Sequence, residues 1–213
     1  MTKAIAKEYN IELIRTLTGF KYIGEQIKLF EQNNSYEYLF GYEESYGCLA
    51  GTHARDKDAI VAVMLLAEAA AFYKKQGLTL WEQMINIYEK YGYYRETLAT
   101  MTLKGIEGKE KIKQIIEKLR NTTIENIGKF KVVETRDYQN KITKNLITGE
   151  EGKTTLPISN VLYFELEEDG WCCVRPSGTE PKIKFYMGVK ENTMEKADKK
   201  LEELKNAMLE ICE

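Results

Sequence analysis

Apolar residues recur along this chain with two periods, and the switches between them outline the elements. Residues 2–9 read as a short helix. Residues 11–17, with Ile11, Leu13 and Ile14 apolar, read as a strand. Gly19 then opens a helix carrying Tyr22, Ile23, Ile27, Leu29 and Phe30, which closes before Asn33 and Asn34. Residues 36–42 are aromatic and leucine-rich and predict a second strand. Strand, helix, strand at this spacing predicts a parallel pair with a crossover helix. Asp56 or Asp58 caps a helix running to about residue 75. Its centre, AIVAVMLLAEAAAF, is apolar on nearly every face, so burial on two sides is expected. Gly77 ends it, and Thr79 caps a further helix over 80–91.

The pattern changes after Gly92, and the domain boundary is placed near Tyr94, giving domains 1–94 and 95–213. Strands are predicted over 98–103 and 130–133, with a helix over 107–120 between them. Residues 141–159 read as a loop or ragged hairpin. Strands 161–166 and 171–174 turn around Asp169-Gly170, a hairpin signal, and 183–189 is a third strand. The last helix takes Asn192 as N-cap with Glu195 three residues on, a capping box. Its residues Met194, Ala197, Leu201, Leu204, Met208 and Ile211 form one apolar stripe. The fold class that follows is α/β plus α+β: a partial mixed α/β sheet domain, then an antiparallel-sheet domain with two packed helices.

Charge and composition narrow the chemistry. Lys+Arg number 31 against 33 Asp+Glu in 213 residues, so there is no basic footprint for nucleic acid. Cys48, Cys172, Cys173 and Cys212 form no C-x-x-C pair, and His53 is the single histidine, so the usual zinc spacings are missing. The longest apolar run, 59–67, is too short to span a bilayer. A cytoplasmic protein with reduced thiols and no membrane partner is expected.

Three stretches carry candidate chemistry. The first is Arg175-Pro176-Ser177-Gly178-Thr179-Glu180-Pro181-Lys182, between two predicted strands. Two prolines stiffen it, and Gly178 allows a turn that other residues resist. Arg175 offers a planar fork for two phosphate oxygens, with Ser177, Thr179 and Lys182 as further donors. A phosphate site and an ordinary stiffened turn are equally good readings of these residues alone. The second is Gly41-Tyr42-Glu43-Glu44-Ser45-Tyr46-Gly47 at the end of a predicted strand. A carboxylate and a hydroxyl two residues apart, in extended backbone, suit sugar hydroxyls, whereas a solvated acidic loop is the plainer alternative. His53, Arg55 and Lys57 follow, to meet either an anionic ligand or Asp56 and Asp58. The third is Thr18-Gly19 at a strand-to-helix junction, where free N–H groups receive an anion or hydroxyl, or where the helix is merely capped.

Taken together, TLTGFKYIG, FGYEESYG followed by RDKDA, and RPSGTEPKIK resemble the α-D-phosphohexomutases, in particular the bacterial phosphoglucomutase/phosphomannomutase branch. EESYG with RDKD points towards glucose phosphates. The resemblance covers the late third domain and the complete fourth domain of a four-domain family. It implies an enzyme that interconverts hexose 1-phosphate and 6-phosphate through a bisphosphate. It also implies that Glu43, Ser45, Thr18, Gly19 and Lys57 contact the sugar, and that Arg175, Ser177, Gly178, Thr179 and Lys182 grip the phosphate not in transfer. The family's phosphoserine loop (T-x-S-H-N-P) and magnesium loop (D-x-D-x-D-R) match nothing here. The Mg2+ and the phosphoserine of the complete enzyme therefore lie outside this chain, which is expected to be inactive alone. Alternatives are a free-standing phosphosugar-binding or regulatory module and another phosphohexose or phosphopentose mutase. An exposed sheet edge at 11–17, allowing self-association, is a further expectation.

Overall fold

A computed structural model describes every residue except Lys104, Thr179 and Glu213. The chain divides into two compact units, Thr2–Ile87 and Tyr88–Glu213.

The first unit is mostly helical. Helices α1 (Thr2–Glu8) and α2 (Phe20–Asn33) precede a hairpin of two three-residue strands, β1 (Phe40–Tyr42) and β2 (Cys48–Ala50). Helix α3 (Ala59–Lys75) and helix α4 (Leu80–Tyr91) follow. Asp58 caps α3 by accepting from the Ile60 and Val61 N–H groups. Thr79 and Glu82 form a reciprocal capping box at the start of α4. The core is small: Phe20, Ile27 and Leu49 are buried, with Ile23, Tyr38 and Ala54 against them.

Three expectations fail in this unit. Residues 11–17 form no strand, so the predicted sheet edge is not built. β1 and β2 pair antiparallel, Phe40 with Ala50 and Tyr42 with Cys48, instead of forming a parallel pair with a crossover helix. A strand exists only through a hydrogen-bonded neighbour, and no described strand lies beside 11–17. Helix α3, expected to be covered on two sides, has no buried residue. A hairpin of three-residue strands has too little surface to cover a 17-residue helix.

The second unit is a sheet of antiparallel strands with two helices on one face. Its strands are β3 (Tyr93–Thr102), β4 (Asn126–Ile127), β5 (Phe130–Asp137), β6 (Ile142–Asn145), β7 (Glu151–Lys153), β8 (Leu162–Leu166), β9 (Trp171–Pro176) and β10 (Lys182–Glu191). The spatial order is β3-β10-β9-β8-β5-β6-β7, with β4 on β5. Helices α5 (Gly105–Asn121) and α6 (Met194–Ile211) supply Ile112, Ile115, Ile116, Leu119, Leu201, Leu204 and Met208 to the core. The strands answer with alternate residues, Ile183, Phe185 and Met187 on β10 and Cys172 and Val174 on β9. Burial pushes the Cys172 thiol well up and the Cys212 thiol up to about 11, so both stay protonated near neutrality. All four cysteines are free.

Two local details shift by one residue. The β8–β9 turn puts its left-handed backbone at Glu168 and Asp169 rather than at Asp169-Gly170. Helix α6 is capped by Thr193, whose hydroxyl accepts from the Lys196 N–H, rather than by Asn192. Residues 141–159 form the ragged hairpin β6–β7. On the helix-free face, Arg136 sits over the Tyr163 ring at 4.9 Å, and Tyr163 stacks on Trp171 at 6.1 Å. Arg136 is held there by Glu134 and Glu165. Among the described residues no helix is long and apolar enough to cross a membrane.

Candidate functional site

The two groups of candidate residues fall one in each unit. In the first unit, Gly19 has φ of +124°, a conformation that side chains resist, and it delivers the chain into α2 without a side-chain cap. The Tyr22 N–H in the first turn of α2 donates back to the Gly19 carbonyl at 3.0 Å. Thr18 precedes it at the surface, and Phe20 turns inward to the core. The β1–β2 turn is closed by the Glu43 N–H donating to the Gly47 carbonyl at 2.8 Å.

Lys57 joins these elements. Its ammonium lies 3.9 Å from Glu43 Oε2, 3.3 Å from Asp56 Oδ1 and 5.9 Å from the Phe20 ring centre. The Lys57 stem crosses Gly47, where a Cβ would collide with Lys57 Cδ. Any larger residue there would push the Lys57 side chain aside. The Glu43 side chain is only 11% exposed, whereas that of Lys57 is 53% exposed. Screening by water therefore keeps this contact weak and its ammonium free to move.

Ser45 does not share the Glu43 side of an extended strand as expected, because residues 44 and 45 form the exposed turn. The other basic residues are spoken for. Arg55 donates to both oxygens of Glu31 at 2.6 Å and to the Thr52 carbonyl, and His53 pairs with Asp58 at 2.9 Å. The His53 ring, then the Val61 and Ile60 N–H groups, hold the Asp58 carboxyl below its usual range. The Lys57 N–H and ammonium do the same for Asp56. These two carboxylates do not fit a magnesium ion, since each is committed to its neighbours. Among the described residues no cluster of three metal-ligating side chains occurs.

In the second unit the candidate turn joins β9 to β10. Arg175 lies directly across from Lys184, on the face opposite the core residues Val174, Ile183 and Phe185. Among the described residues the Arg175 guanidinium has no ion pair or hydrogen-bond partner. Lys182 donates to Glu180 at 2.9 Å. That bond, then the fields of Lys182 and Lys184, hold the Glu180 carboxyl below its usual range.

The turn also closes on itself. The Ser177 N–H donates to the Lys182 carbonyl at 2.8 Å, and the Ser177 hydroxyl accepts from the Glu180 N–H at 3.2 Å. Gly178 does not occupy the left-handed region, so backbone freedom is not its role here. A Cβ at Gly178 would meet nothing, and the space above the turn is open. Thr179 lies outside the described residues. Lys184 is the residue the sequence reading missed. Its signal was the alternation Lys182, Lys184, Tyr186 against the buried Ile183, Phe185, Met187, which puts Lys184 on the Arg175 face.

The comparisons with known proteins decide the family. Residues 1–91 match "Phosphoglucomutase/phosphomannomutase, alpha/beta/alpha domain III", and residues 125–209 match the C-terminal domain of the same family. This chain belongs to the phosphoglucomutase/phosphomannomutase family. A phosphoglucomutase of Staphylococcus saprophyticus is 35% identical over 202 residues, covering 95% of this chain and 36% of the relative. That of Staphylococcus aureus USA300 is 37% identical over 190 residues, covering 89% and 34%. The chain thus spans about a third of the length of these relatives. A solved structure of pp63/parafusin from Paramecium, in an open form, aligns with a TM-score of 0.65 at 18% identity. It covers 99% of this chain and 35% of that one, and supports the fold.

Proposed function

We propose that this chain is the sugar- and phosphate-binding part of a phosphohexomutase that interconverts hexose 1-phosphate and 6-phosphate through a bisphosphate. The observation that carries the proposal is the Arg175 guanidinium, unpaired among the described residues, on β9 opposite Lys184 of β10. Two cations held side by side on one face repel each other, and a bound dianion relieves that repulsion. Lys182 joins them by exchanging Glu180 for the phosphate. Gly178 lets the ligand approach the backbone, and Ser177 serves by holding the turn closed. Thr179 is carried as a further phosphate contact on the resemblance alone.

In the same proposal Glu43 accepts from sugar hydroxyls, with Lys57 setting its orientation from 3.9 Å. The exposed Ser45 hydroxyl and the turn at Thr18 and Gly19 close round the sugar. Gripping either phosphate ester in one site lets the bisphosphate present each end in turn to the transfer chemistry, so positioning is the work of these residues. The metal and the phosphoryl donor belong to other segments.

Calorimetry tests this. Glucose 6-phosphate should bind and glucose should not. Arg175→Ala should weaken binding by about 1.5–3 kcal/mol, the scale of a charge-assisted hydrogen bond, without changing the fold. Equal affinity for glucose and glucose 6-phosphate would reject the phosphate grip. The chain alone, given glucose 1-phosphate, the 1,6-bisphosphate and magnesium, should produce no glucose 6-phosphate. Turnover would show that the transfer chemistry is here after all.

A further inference from the structure

A charged cleft of about 420 Å³ lies in the second unit, within the size range of small-molecule sites. It is separate from the Arg175 turn. Strand β10 runs from Lys182 beside that turn to Glu191 in the cleft, and ten residues of strand put its ends about 30 Å apart. The entry into β5, the β8–β9 turn and the first turns of α6 build the walls. Helix α6 contributes Lys196, Lys199, Lys200 and Glu203, at i, i+3, i+4 and i+7, so all four share one helix face.

The pairing of charges inside the cleft decides what it can take. Lys200 is the enclosed ammonium: its side chain is 12% exposed, and it donates to Glu191 at 2.8 Å and to Glu168 at 2.5 Å. Glu167 lies 3.3 Å from Lys131, and Glu203 pairs with Lys129. Every carboxylate of the lining is thus engaged. Hydrogen bonding from Lys129, with a smaller share from the field of Lys199, holds the Glu203 carboxyl below its usual range. Lys200, with a smaller share from Lys196, does the same for Glu191. Lys196 and Lys199 are exposed, and among the described residues neither ammonium has a hydrogen bond or ion pair. Five lysines against four glutamates leave the lining net positive. The surplus gathers at Lys196 and Lys199, because Lys200 alone engages two carboxylates. The positive end of the α6 dipole lies beside them.

We propose that this cleft is a second anion site, for a dianion of metabolite size: a phosphate group or a dicarboxylate. Lys196 and Lys199, one helical turn apart, bracket the anion. Lys131 joins them by leaving Glu167, an exposed pair that is cheaply exchanged. Lys200, Glu168 and Glu191 hold α6 against the β8–β9 turn and the end of β10, so the walls are fixed before the ligand arrives. The site stands whether or not Arg175 grips phosphate.

The test is amide NMR of the full chain carrying Arg175→Ala, titrated with inorganic phosphate, with succinate and, at matched ionic strength, with sodium chloride. Phosphate or succinate should shift the amides of residues 129–131, 167–168 and 196–200 and saturate with a midpoint of about 1 mM or lower. Chloride should not. A response to phosphate alone, to succinate alone or to both supports the site and names the acid group it takes. Adding Lys196→Gln with Lys199→Gln should weaken binding about tenfold or more, the scale of a charge-assisted contact. In the chain with Arg175 intact, the same pair should leave melting and glucose 6-phosphate binding at the turn unchanged. Should that pair lower the melting temperature, Lys131→Gln on the facing wall replaces it and should also weaken binding. Three results would overturn the proposal: no saturable shift with either dianion, an equal shift with chloride, or undiminished binding in the well-folded lysine variant.

Discussion

Helices α3 and α6 are alike in length, 17 and 18 residues, and opposite in fate. Helix α6 is heavily charged, yet its one apolar stripe is buried, with Ala197, Leu204 and Met208 fully enclosed beneath the sheet. Helix α3 is far more apolar and buries nothing. Apolarity thus states how much cover a helix needs, while the surrounding strands decide whether this chain provides it. The second unit has that cover, a continuous core centred on Phe185 and Met187. The first has a small cluster of Phe20, Ile27 and Leu49 round α2 and a short hairpin, with Ala6 and Leu17 also buried.

Substitutions can break this comparison. The largest effect is expected for Phe185→Ala, which empties a fully buried site and should cost about 3–5 kcal/mol in denaturant unfolding. Met64→Ala, on the uncovered helix, should fall within about 0.5 kcal/mol. Similar costs at the two positions would mean that α3 is covered in solution. Thr193→Ala removes the hydroxyl that accepts from the Lys196 N–H and should cost about 1 kcal/mol, read as a shift in the denaturant midpoint. Glu180→Gln should tighten phosphosugar binding about two- to fivefold by freeing Lys182, an effect limited by solvent exposure. Weaker binding in that variant would show that Glu180 shapes the turn instead.

The smallest effect is pH-linked. The Asp58 carboxyl titrates below its ordinary 3.8 in the folded chain. A depressed carboxylate contributes stability above its ordinary value and loses it as pH falls through the depressed one. Exchange of the Ile60 and Val61 amides should therefore quicken below that range, and Asp58→Asn should flatten the dependence. Pairing of the 11–17 segment in solution would show instead as slowed exchange there.

Elements governed by local chemistry were legible in the sequence. A cap at Asp56 or Asp58, which the structure places at Asp58, the Thr79 cap, the stripe of α6 and the turn at Arg175–Lys182 all follow from residues a few positions apart. Features that depend on distant partners were not. The parallel pairing and the burial of α3 presuppose strands that no local pattern reveals. The missed Lys184 lies between these cases, since strand alternation assigns its face and the register with β9 assigns its partner. The one-residue shifts at Asp169 and Thr193 come from competition between neighbouring residues with nearly equal turn and cap preferences.

The stacked Trp171 has a practical consequence. The chain holds two tryptophans, and each unit carries one: Trp81, 63% exposed on α4, and Trp171, sandwiched against Tyr163 on the sheet. Replacing either indole with phenylalanine leaves a fluorophore that reports on a single unit. Emission from Trp81 should lie further to the red, and its quenching by iodide should be the stronger. Followed during melting, the two spectra would reveal whether both halves of the molecule come apart together or in sequence.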